Sequence, residues 1–506
     1  MTSTATPSCT APAPPSPLTG NPASAPPYPP GAPGLAGLAA LEARLAQDLA
    51  WLELPPPAWV PPSQRDGQPV LDVAVIGGGM AGLTAATALR HLGITAVIFD
   101  QAPAGFEGPW ATTARMETLR SPKTLTGPAL GLPALTFRAW YEAQYGVPAW
   151  EALDKIPRLQ WMDYLRWYRK VMGLDLRNAH RLSRLRPRGD GVVALDIANA
   201  EGTRTLLARH VVLATGRDGL GGAQVPAFVN GLPRERWAHS SDVLDAAMLA
   251  GKRVGVVGAG SSAMDSAATA LEANAQRVDM LVRRADIPRI NKQKAAGNPG
   301  LVHGHQALSD AWKWRFRHYI NREQVPPPRG STLRVMRHPN VRVHLSSPVL
   351  KAEMAGDEIH VTTPRGVIAL DFLFLSTGFR IDWFAREEFA TIAPHVRAWH
   401  QRYAPPSGDE DQELHDSPDV GPAFELREKT PGACPGLARV YCFNYPAALS
   451  HGAISGDIPA ISDGARRLAE GIASALYVED IDQHFARLEA FSEPEVFGDE
   501  WADRLA

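Results

Sequence analysis

Two glycine-rich turns, each between an apolar run and an alanine-rich stretch, constrain this chain more than any other feature. The first is Gly77-Gly78-Gly79-Met80-Ala81-Gly82, and the second is Gly258-Ala259-Gly260-Ser261-Ser262-Ala263. In a strand–turn–helix unit of this kind, the first glycine makes the bend and the second lets a pyrophosphate approach the backbone. The third small residue lets the helix pack on the strand. Two such units predict an α/β fold with two Rossmann-like dinucleotide-binding domains.

The residues that end the next strand of each unit distinguish the two expected ligands. Asp100 follows the first turn, and its carboxylate is suited to a ribose hydroxyl. Arg283 and Arg284 follow the second turn and are suited to a 2′-phosphate. The alternative is that they are ordinary solvent-exposed residues at the end of a strand. The sequence therefore predicts a flavoprotein oxidoreductase that binds FAD at the first turn and NADPH at the second.

Composition narrows the function further. The chain has 506 residues, 45% hydrophobic and 21% charged, with a formal net charge of −2, which argues against a nucleic-acid or membrane-surface role. Its three cysteines, Cys9, Cys434 and Cys442, form no Cys-x-x-Cys pair and no zinc spacing, so neither a dithiol relay nor a metal site is expected. No targeting segment is evident, and we expect a cytoplasmic protein.

The chain divides into five predicted regions. Residues 1–34 contain 11 prolines and are predicted to be a disordered tail, and residues 35–70 form an N-terminal helix and linker. The first part of an FAD-binding domain covers residues 71–225, and an NADPH-binding domain covers 226–370. Residues 371–506 complete the FAD domain and form a C-terminal tail.

Two apolar strands that end on Thr-Gly support this insertion. One ends at Thr215-Gly216 and the other at Thr377-Gly378, on either side of the second glycine turn. Such an ending lets the backbone turn sharply beside a bound nucleotide, so these four residues are expected to border the cofactors. Between them, residues 283–342 contain 13 Lys and Arg against three acids. We expect most of these basic side chains to be solvated surface residues. The more specific alternative is that they attract the phosphates of NADPH or an anionic substrate.

With these motifs in place, the chain resembles the class B flavoprotein monooxygenases, which include flavin-containing, Baeyer–Villiger and N-hydroxylating enzymes. Gly108-Pro109-Trp110 is similar to the family's Gly-Gly-x-Trp segment, which implies that Trp110 lies near the flavin. The stretch Ser450–Pro459 is similar to a turn at the flavin ring, which implies that Asp457 reaches the ribityl chain.

The resemblance favours one branch of the family. The Baeyer–Villiger signature requires Phe and Gly where this chain has Pro233 and Glu235. The segment Arg115–Lys123 is closer in character to the N-hydroxylating enzymes, which implies that Lys123 holds an amino-acid carboxylate. Arg120, a cation in the same segment, and Asn291 are further candidate substrate-binding residues.

The resemblance implies a reaction that needs few protein acids or bases. One oxygen atom passes from O2, through a C4a-(hydro)peroxyflavin, to a nitrogen or sulfur nucleophile, and N-hydroxylation of a small amine or amino acid is favoured. The expected partners are a small-molecule substrate and O2, without nucleic acid or membrane, and a homo-oligomer stays open. No catalytic side chain is assigned. An NADPH-dependent flavin reductase or dehydrogenase without oxygen insertion is the first alternative, and a non-enzymatic redox-sensing or interaction scaffold is the second.

Overall fold

A computed structural model describes residues 35–504 of the chain. The predicted disordered tail at residues 1–34 lies outside the described residues. None of the described helices is long and apolar enough to cross a membrane.

Thirteen α-helices are present in the described part of the chain, joined in places by short 3-10 turns. They are α1 (Leu35–Trp51), α2 (Met80–Arg90), α3 (Phe137–Ala152), α4 (Arg158–Val171), α5 (Ser261–Glu272), α6 (Lys292–Ala295), α7 (Pro299–Gly304), α8 (Asp310–Glu323), α9 (Arg329–Met336), α10 (Gln412–Asp416), α11 (Ala448–His451), α12 (Ile461–Glu479) and α13 (Ile481–Ala490).

The same residues form eighteen strands. They are β1 (Ser63–Arg65), β2 (Gln68–Ile76), β3 (Ala96–Phe99), β4 (Asp175–Arg177), β5 (Arg181–Pro187), β6 (Val193–Asn199), β7 (Gly202–Leu213), β8 (Gly221–Ala223), β9 (Trp237–His239), β10 (Arg253–Val257), β11 (Arg277–Leu281), β12 (Val341–His344), β13 (Lys351–Ala355), β14 (Glu358–Thr363), β15 (Gly366–Leu370), β16 (Phe372–Leu375), β17 (Phe379–Ile381) and β18 (Val440–Cys442).

The first sheet is built around β2, the strand that leads into the first glycine turn. Its order is β4-β3-β2-β7-β6-β5, with β1 paired to β2 and β18 paired to β7. The neighbouring strands β4, β3, β2 and β7 are parallel to one another, and β18 is parallel to β7. β6 is antiparallel to both β7 and β5. The C-terminal ends of β2 and β3 therefore meet at one edge, where a nucleotide site is expected in such sheets.

The second sheet has the order β12-β11-β10-β16-β9, and all of its strands are parallel. These two sheets agree with the predicted α/β fold class. β16 pairs with both β10 and β9, although the predicted boundary at residue 370 assigned it to the FAD domain. Its continuous apolar sequence fits burial between two strands, and we propose that the NADPH domain extends through Leu375.

A short ribbon joins the two domains. β8 and β17, which follow the two Thr-Gly pairs, are antiparallel partners, with Gly222 opposite Arg380. The two chain segments that connect the domains therefore lie side by side. A separate antiparallel sheet, β13-β14-β15, lies between β12 and β16 in the chain.

The N-terminal helix packs on the body of its own chain. Leu45 is buried, and Leu38, Leu41 and Leu49 pack partly buried against the main hydrophobic core. This is the leucine face that the spacing of three and four residues predicts. Leu52, at the end of the same series, is exposed because α1 has already ended.

Candidate functional site

Packing dictates the first and the last of the three glycines, Gly77, Gly79 and Gly82, that match the dinucleotide-binding pattern in the first turn. Gly77 has a φ of +107°, and a Cβ there would lie 2.5 Å from the carbonyl oxygen of Ala214. A Cβ on Gly82 would lie 1.9 Å from the carbonyl oxygen of Gly77. Gly79 differs, because the nearest atom to a Cβ there would be the Cα of Gly108 at 3.8 Å. The middle glycine therefore faces an opening at the N-terminus of α2.

The second turn repeats this arrangement. Gly258 has a φ of +125°, and its Cβ would lie 2.8 Å from the carbonyl oxygen of Ser376. Ala263 is fully buried at the position of the third small residue. A Cβ on Gly260 would meet no atom within 4 Å. In the first turn of α5, Ser261 is half-buried and Ser262 is exposed.

Both helix starts are suited to phosphates. Gly79 precedes α2 and Gly260 precedes α5, and neither helix has a side-chain cap. Their first-turn N–H groups are therefore left for an anionic ligand, which the helix dipole also favours. A wide-open middle glycine beside an uncapped helix start fits the pyrophosphate of FAD at the first turn and that of NADPH at the second.

Asp100 lies beside the first turn, as its place after β3 requires. One carboxylate oxygen accepts the N–H of Gly78 at 2.6 Å, and the other accepts the N–H of Ala102 at 2.7 Å. Burial raises the pKa of Asp100, and these two backbone donors oppose that rise. The hydrogen bonds fix the carboxylate where the ribose next to a pyrophosphate on α2 would lie.

Glu107, which the sequence did not single out, lies close by. It lines a cavity of about 110 Å³ together with Gly78 and Arg169. Its carboxylate is buried, forms an ion pair with Arg169 at 3.1 Å and accepts a hydrogen bond from Asn178 Nδ2 at 2.5 Å. A polar group held this firmly is suited to the adenosine end of FAD.

The segment Gly108-Pro109-Trp110 passes next to the first turn, because Gly108 is the nearest neighbour of Gly79. The indole of Trp110 packs edge-on against Trp161, with 6.4 Å between ring centroids, and its carbonyl accepts a hydrogen bond from Arg158. The contacts of Trp110 anchor this segment to α4.

The two Thr-Gly pairs occupy equivalent positions in the two domains. Gly216 and Gly378 have φ values of +82° and +84°, and the residue before each pair supplies the carbonyl that faces the first glycine of a turn. Thr215 Oγ1 accepts a hydrogen bond from Asn444 at 3.2 Å, whereas Thr377 Oγ1 donates to the carbonyl of Gln224. Both strand ends therefore border a glycine turn.

The two arginines after β11 have different surroundings. Arg284 is half-buried and donates to the carbonyl of Arg322 at 2.9 Å. Arg283 is exposed and makes no hydrogen bond or ion pair within residues 35–504. Arg283 is therefore the better candidate for the 2′-phosphate, since its guanidinium is not already engaged.

Asp457 lies among three arginines from separate segments of the chain. Burial raises the pKa of its carboxyl, and the positive charges of Arg317, Arg217 and Arg120 oppose that rise. Arg120 comes from the FAD domain, Arg217 follows the Thr215-Gly216 pair, and Arg317 lies in α8. We call these four residues the Asp457 cluster.

Tyr445 connects two of these arginines. The guanidinium carbon of Arg217 lies 4.0 Å from the centroid of the Tyr445 ring, within cation–π range. Arg317 Nη2 donates to the Tyr445 hydroxyl at 3.2 Å. A Cβ on Gly456, next to Asp457, would lie 3.2 Å from the Cα of Tyr445, so the cluster adjoins the turn that the sequence placed at the flavin ring.

Helix α8 buries two cations on its inner face. Lys313 is 6% exposed and Arg317 is 7% exposed, and among the described residues no carboxylate lies within ion-pair distance of Arg317. Arg317 Nε has no hydrogen-bond partner in the same region. A buried charge without an ion-pair partner costs several kcal/mol (~3–5 when a partner is removed), and an anionic ligand would offset that cost.

Of the three predicted substrate-binding residues, the structure brings only Arg120 to the Asp457 cluster, and Arg120 also donates to the carbonyl of Pro326. The ammonium group of Lys123 donates to the carbonyls of Trp150 and Glu151 at 2.7 and 3.1 Å, at the end of α3. Asn291 caps α6 by accepting the N–H of Lys294 at 3.1 Å. Both side chains are thus engaged in ending or starting a helix.

Sequence reasoning missed Arg217, Arg317 and Tyr445. One signal could have identified α8: Lys313, Trp314, Arg317 and Ile320 recur at helical spacing, so two cations share the face that carries buried apolar residues. No comparable signal marks Arg217, which is exposed.

The thiols and acids provide no further redox or metal site in the described region. Cys434 and Cys442 are free and buried, and burial raises the pKa of both thiols. No group of His, Cys, Asp and Glu within residues 35–504 could hold a metal ion.

Two family models match the chain. One, described as L-lysine 6-monooxygenase/L-ornithine 5-monooxygenase, matches residues 150–298, and one described as FAD-NAD(P)-binding matches residues 74–218. An FAD-dependent urate hydroxylase from Xanthomonas campestris pv. campestris is 40% identical over 442 residues, which cover 87% of this chain and 93% of the relative.

Solved structures share the fold at low identity. An ornithine hydroxylase from Pseudomonas aeruginosa gives a TM-score of 0.64 at 16% identity, covering 80% of this chain and all of that one. An ornithine N-hydroxylase from Kutzneria sp. 744, solved with reduced FAD, NADP⁺ and L-ornithine, gives 0.60 at 19% identity, also covering 80% of this chain and all of that one.

Proposed function

The chain belongs to the class B flavoprotein monooxygenases, and from that premise we propose that it hydroxylates a small anionic nitrogen compound, with urate as the leading candidate. It is an FAD- and NADPH-dependent oxidoreductase. The predicted reaction class is therefore confirmed, and what remains to be assigned is the substrate and the residues that hold it.

The chain's own residues have binding and shielding roles. The starts of α2 and α5 hold the two pyrophosphates, Asp100 holds a ribose, and Arg283 holds the 2′-phosphate of NADPH. When bound and reduced by NADPH, FAD would supply the activation of O2, and one oxygen atom of O2 would enter the substrate. The protein orients the substrate against the flavin and keeps water out of the site.

The observation that carries the proposal is the buried Arg317. Its guanidinium has no carboxylate within ion-pair distance among the described residues and donates to the hydroxyl of Tyr445, a residue that adjoins the Ser450–Pro459 turn. Arg217 and Arg120 add two further positive charges around Asp457. Three arginines against the single carboxylate of Asp457 leave a net positive charge, which attracts an anionic group of the substrate.

Urate fits this chemistry. It is a planar monoanion at neutral pH with carbonyl oxygens and ring nitrogens along its edges, and guanidinium groups recognise such edges with paired hydrogen bonds. The relative at 40% identity is named a urate hydroxylase, which supports the same substrate.

N-hydroxylation of an amino acid is the second candidate. The lysine/ornithine monooxygenase model matches residues 150–298, which include Arg217 and the second glycine turn. An amino-acid carboxylate would bind the same arginines while its side-chain nitrogen accepted the oxygen.

The proposed cellular setting follows from the cofactors. The enzyme would work in the cytoplasm, where NADPH and O2 are both available, and would need no protein partner for its chemistry.

The test is isotopic. FAD-loaded protein is supplied with NADPH and ¹⁸O2, together with urate, ornithine or lysine, and the products are weighed by mass spectrometry. We expect one ¹⁸O atom in the urate product. A product without that label would overturn oxygen insertion, and labelled ornithine or lysine with unreacted urate would transfer the assignment to the second candidate.

Substitution of Arg317 tests the site itself. Arg317→Gln should raise the KM for urate about 10- to 150-fold, the range for a lost hydrogen bond to a charged group. Its KM for NADPH should stay unchanged. Arg329→Gln, at an exposed position that starts α9, is the matched control. Equal KM values in the two variants would remove Arg317 from the substrate site.

A further inference from the structure

Helix α8 exposes aromatic residues where a surface helix ordinarily exposes polar ones. Trp312, Phe316 and Tyr319 recur every three or four residues and are 49%, 37% and 41% exposed. Arg315 lies over the Trp312 ring at 4.9 Å, and Arg322 lies over the Tyr319 ring at 5.3 Å. We call these five residues the α8 face, and it is both aromatic and basic.

The C-terminal arm, residues 481–504, is a second unpartnered surface. In α13, Ile481, Phe485 and Leu488 lie at i, i+4 and i+7 and are 48%, 57% and 68% exposed. Past the helix, Phe491 and Phe497 are 70% and 78% exposed. No residue of the arm is buried in its own chain. Apolar surface of this extent on a soluble protein marks an interaction site.

The start of the arm is fixed, and this keeps its apolar side outward. Arg487 donates to the carbonyl of Trp59 at 2.8 Å. The ring of His484 stacks on Tyr477 with 4.4 Å between centroids. These contacts use the inner side of α13 and leave Phe485 and Leu488 free.

The two surfaces have opposite charge. The arm carries seven acidic residues against two arginines. The α8 face carries two arginines and no acidic residue of its own, and one of them, Arg322, lies 3.7 Å from the carboxylate of Glu323. The charges of the two surfaces are complementary and attract each other. Both surfaces also expose aromatic or aliphatic side chains that a contact between them would bury.

We propose that the C-terminal arm of one copy docks on the α8 face of a second copy. A two-fold axis makes the contact reciprocal, so that both arms and both α8 faces are covered in one closed dimer. An anionic membrane or a nucleic acid would match the α8 face alone, because either would repel the acidic arm and leave its apolar residues exposed. A second copy of this chain covers both surfaces at once.

Charge reversal provides the test on the full-length, FAD-loaded protein. One variant carries Arg315→Glu and Arg322→Glu on the α8 face, and the other carries Glu493→Lys and Glu495→Lys on the arm. Sedimentation velocity should show a dimer for the unaltered chain and a monomer for each variant alone. An equimolar mixture should dimerise again, because both of its reciprocal contacts are complementary.

An apolar substitution measures the strength of the contact. Phe485→Glu should raise the dimer dissociation constant at least ~30-fold, as expected for an interface hot spot. Phe384→Glu, at a side chain that is 74% exposed elsewhere, is the matched control and should leave the dimer intact. Flavin content and melting temperature verify that each variant is folded.

Three outcomes would overturn the proposal. The unaltered chain could sediment as a monomer at micromolar concentration, or the charge-reversed mixture could stay monomeric while both parents are folded. A monomeric chain that binds anionic vesicles or DNA through Arg315 and Arg322 would assign the α8 face to a different partner.

Discussion

Arginine accounts for much of the ligand chemistry in this chain, because a guanidinium stays charged even when it is buried. Arg317 is 7% exposed and contacts Tyr445 inside the molecule, whereas Arg283 is exposed at the end of β11. The buried arginine is suited to a small substrate that is enclosed during the reaction. The exposed arginine is suited to a phosphate at the edge of a cofactor that exchanges with solvent.

The role proposed for Arg283 is testable by comparing the two nicotinamide cofactors. Arg283→Ala should weaken NADPH binding about 10- to 150-fold, because a charged hydrogen bond contributes roughly 1.5–3 kcal/mol. NADH lacks the 2′-phosphate, and its binding should change little. The measurement is the KM for each cofactor, with Arg289→Ala as a control at another exposed arginine. A similar loss for NADH would mean that Arg283 supports the loop.

At the scale of elements, the parts that could be predicted from sequence are those with a local pattern. β2 and β10 are apolar runs followed by glycine turns, so their type and the nucleotide edge at the end of each strand were predictable. The predicted boundary at residue 370 left β16 outside the domain of β10, with which it pairs, because an apolar run does not specify which sheet it joins. Asp457 and Arg120 were singled out from the sequence, but their proximity to Arg217 and Arg317 could not be predicted, since these residues meet only through tertiary folding.

A buried histidine connects the segment that contains α7 and α8 to α11, where the Ser450–Pro459 turn begins. His305 Nε2 donates to the carbonyl of Leu449 at 3.0 Å, and burial, the largest influence, lowers its pKa to about 4. An unfolded chain takes up a proton near pH 6.5, whereas the folded chain takes it up only near pH 4. Stability from this residue is therefore complete above pH 6.5 and is lost as the pH falls toward 4.

Acidification should reveal this contribution. Between pH 7 and pH 5, His305 should remove about 2 kcal/mol from the free energy of unfolding. His305→Gln should reduce that loss, whereas His303→Gln, at an exposed position, should not. Urea unfolding at three pH values, followed by release of flavin fluorescence, measures the slope. An identical slope in both variants would contradict a neutral buried His305.

At the scale of the whole molecule, the two domains are held by more than the β8–β17 ribbon. Arg115 extends from the FAD domain and donates to the carbonyls of Ser240 and Asp242 in the NADPH domain, the latter at 2.7 Å. In return, Arg334 Nη1 donates to the carbonyl of Arg115 at 2.8 Å. These reciprocal bonds connect the FAD domain to the NADPH domain, and we expect them to limit how far the two domains separate.

Loosening this bridge should uncouple cofactor oxidation from substrate oxidation. Arg115→Ala removes two charge-assisted hydrogen bonds between the domains, each contributing roughly 1.5–3 kcal/mol. With the cleft less tightly closed, water enters and a larger fraction of the electrons from NADPH ends in hydrogen peroxide. The ratio of peroxide released to NADPH consumed should rise several-fold, while flavin content stays normal. Arg342→Ala, at an exposed position within the NADPH domain, is the control. An unchanged ratio in Arg115→Ala would mean that the ribbon and the bound cofactors alone keep the domains closed.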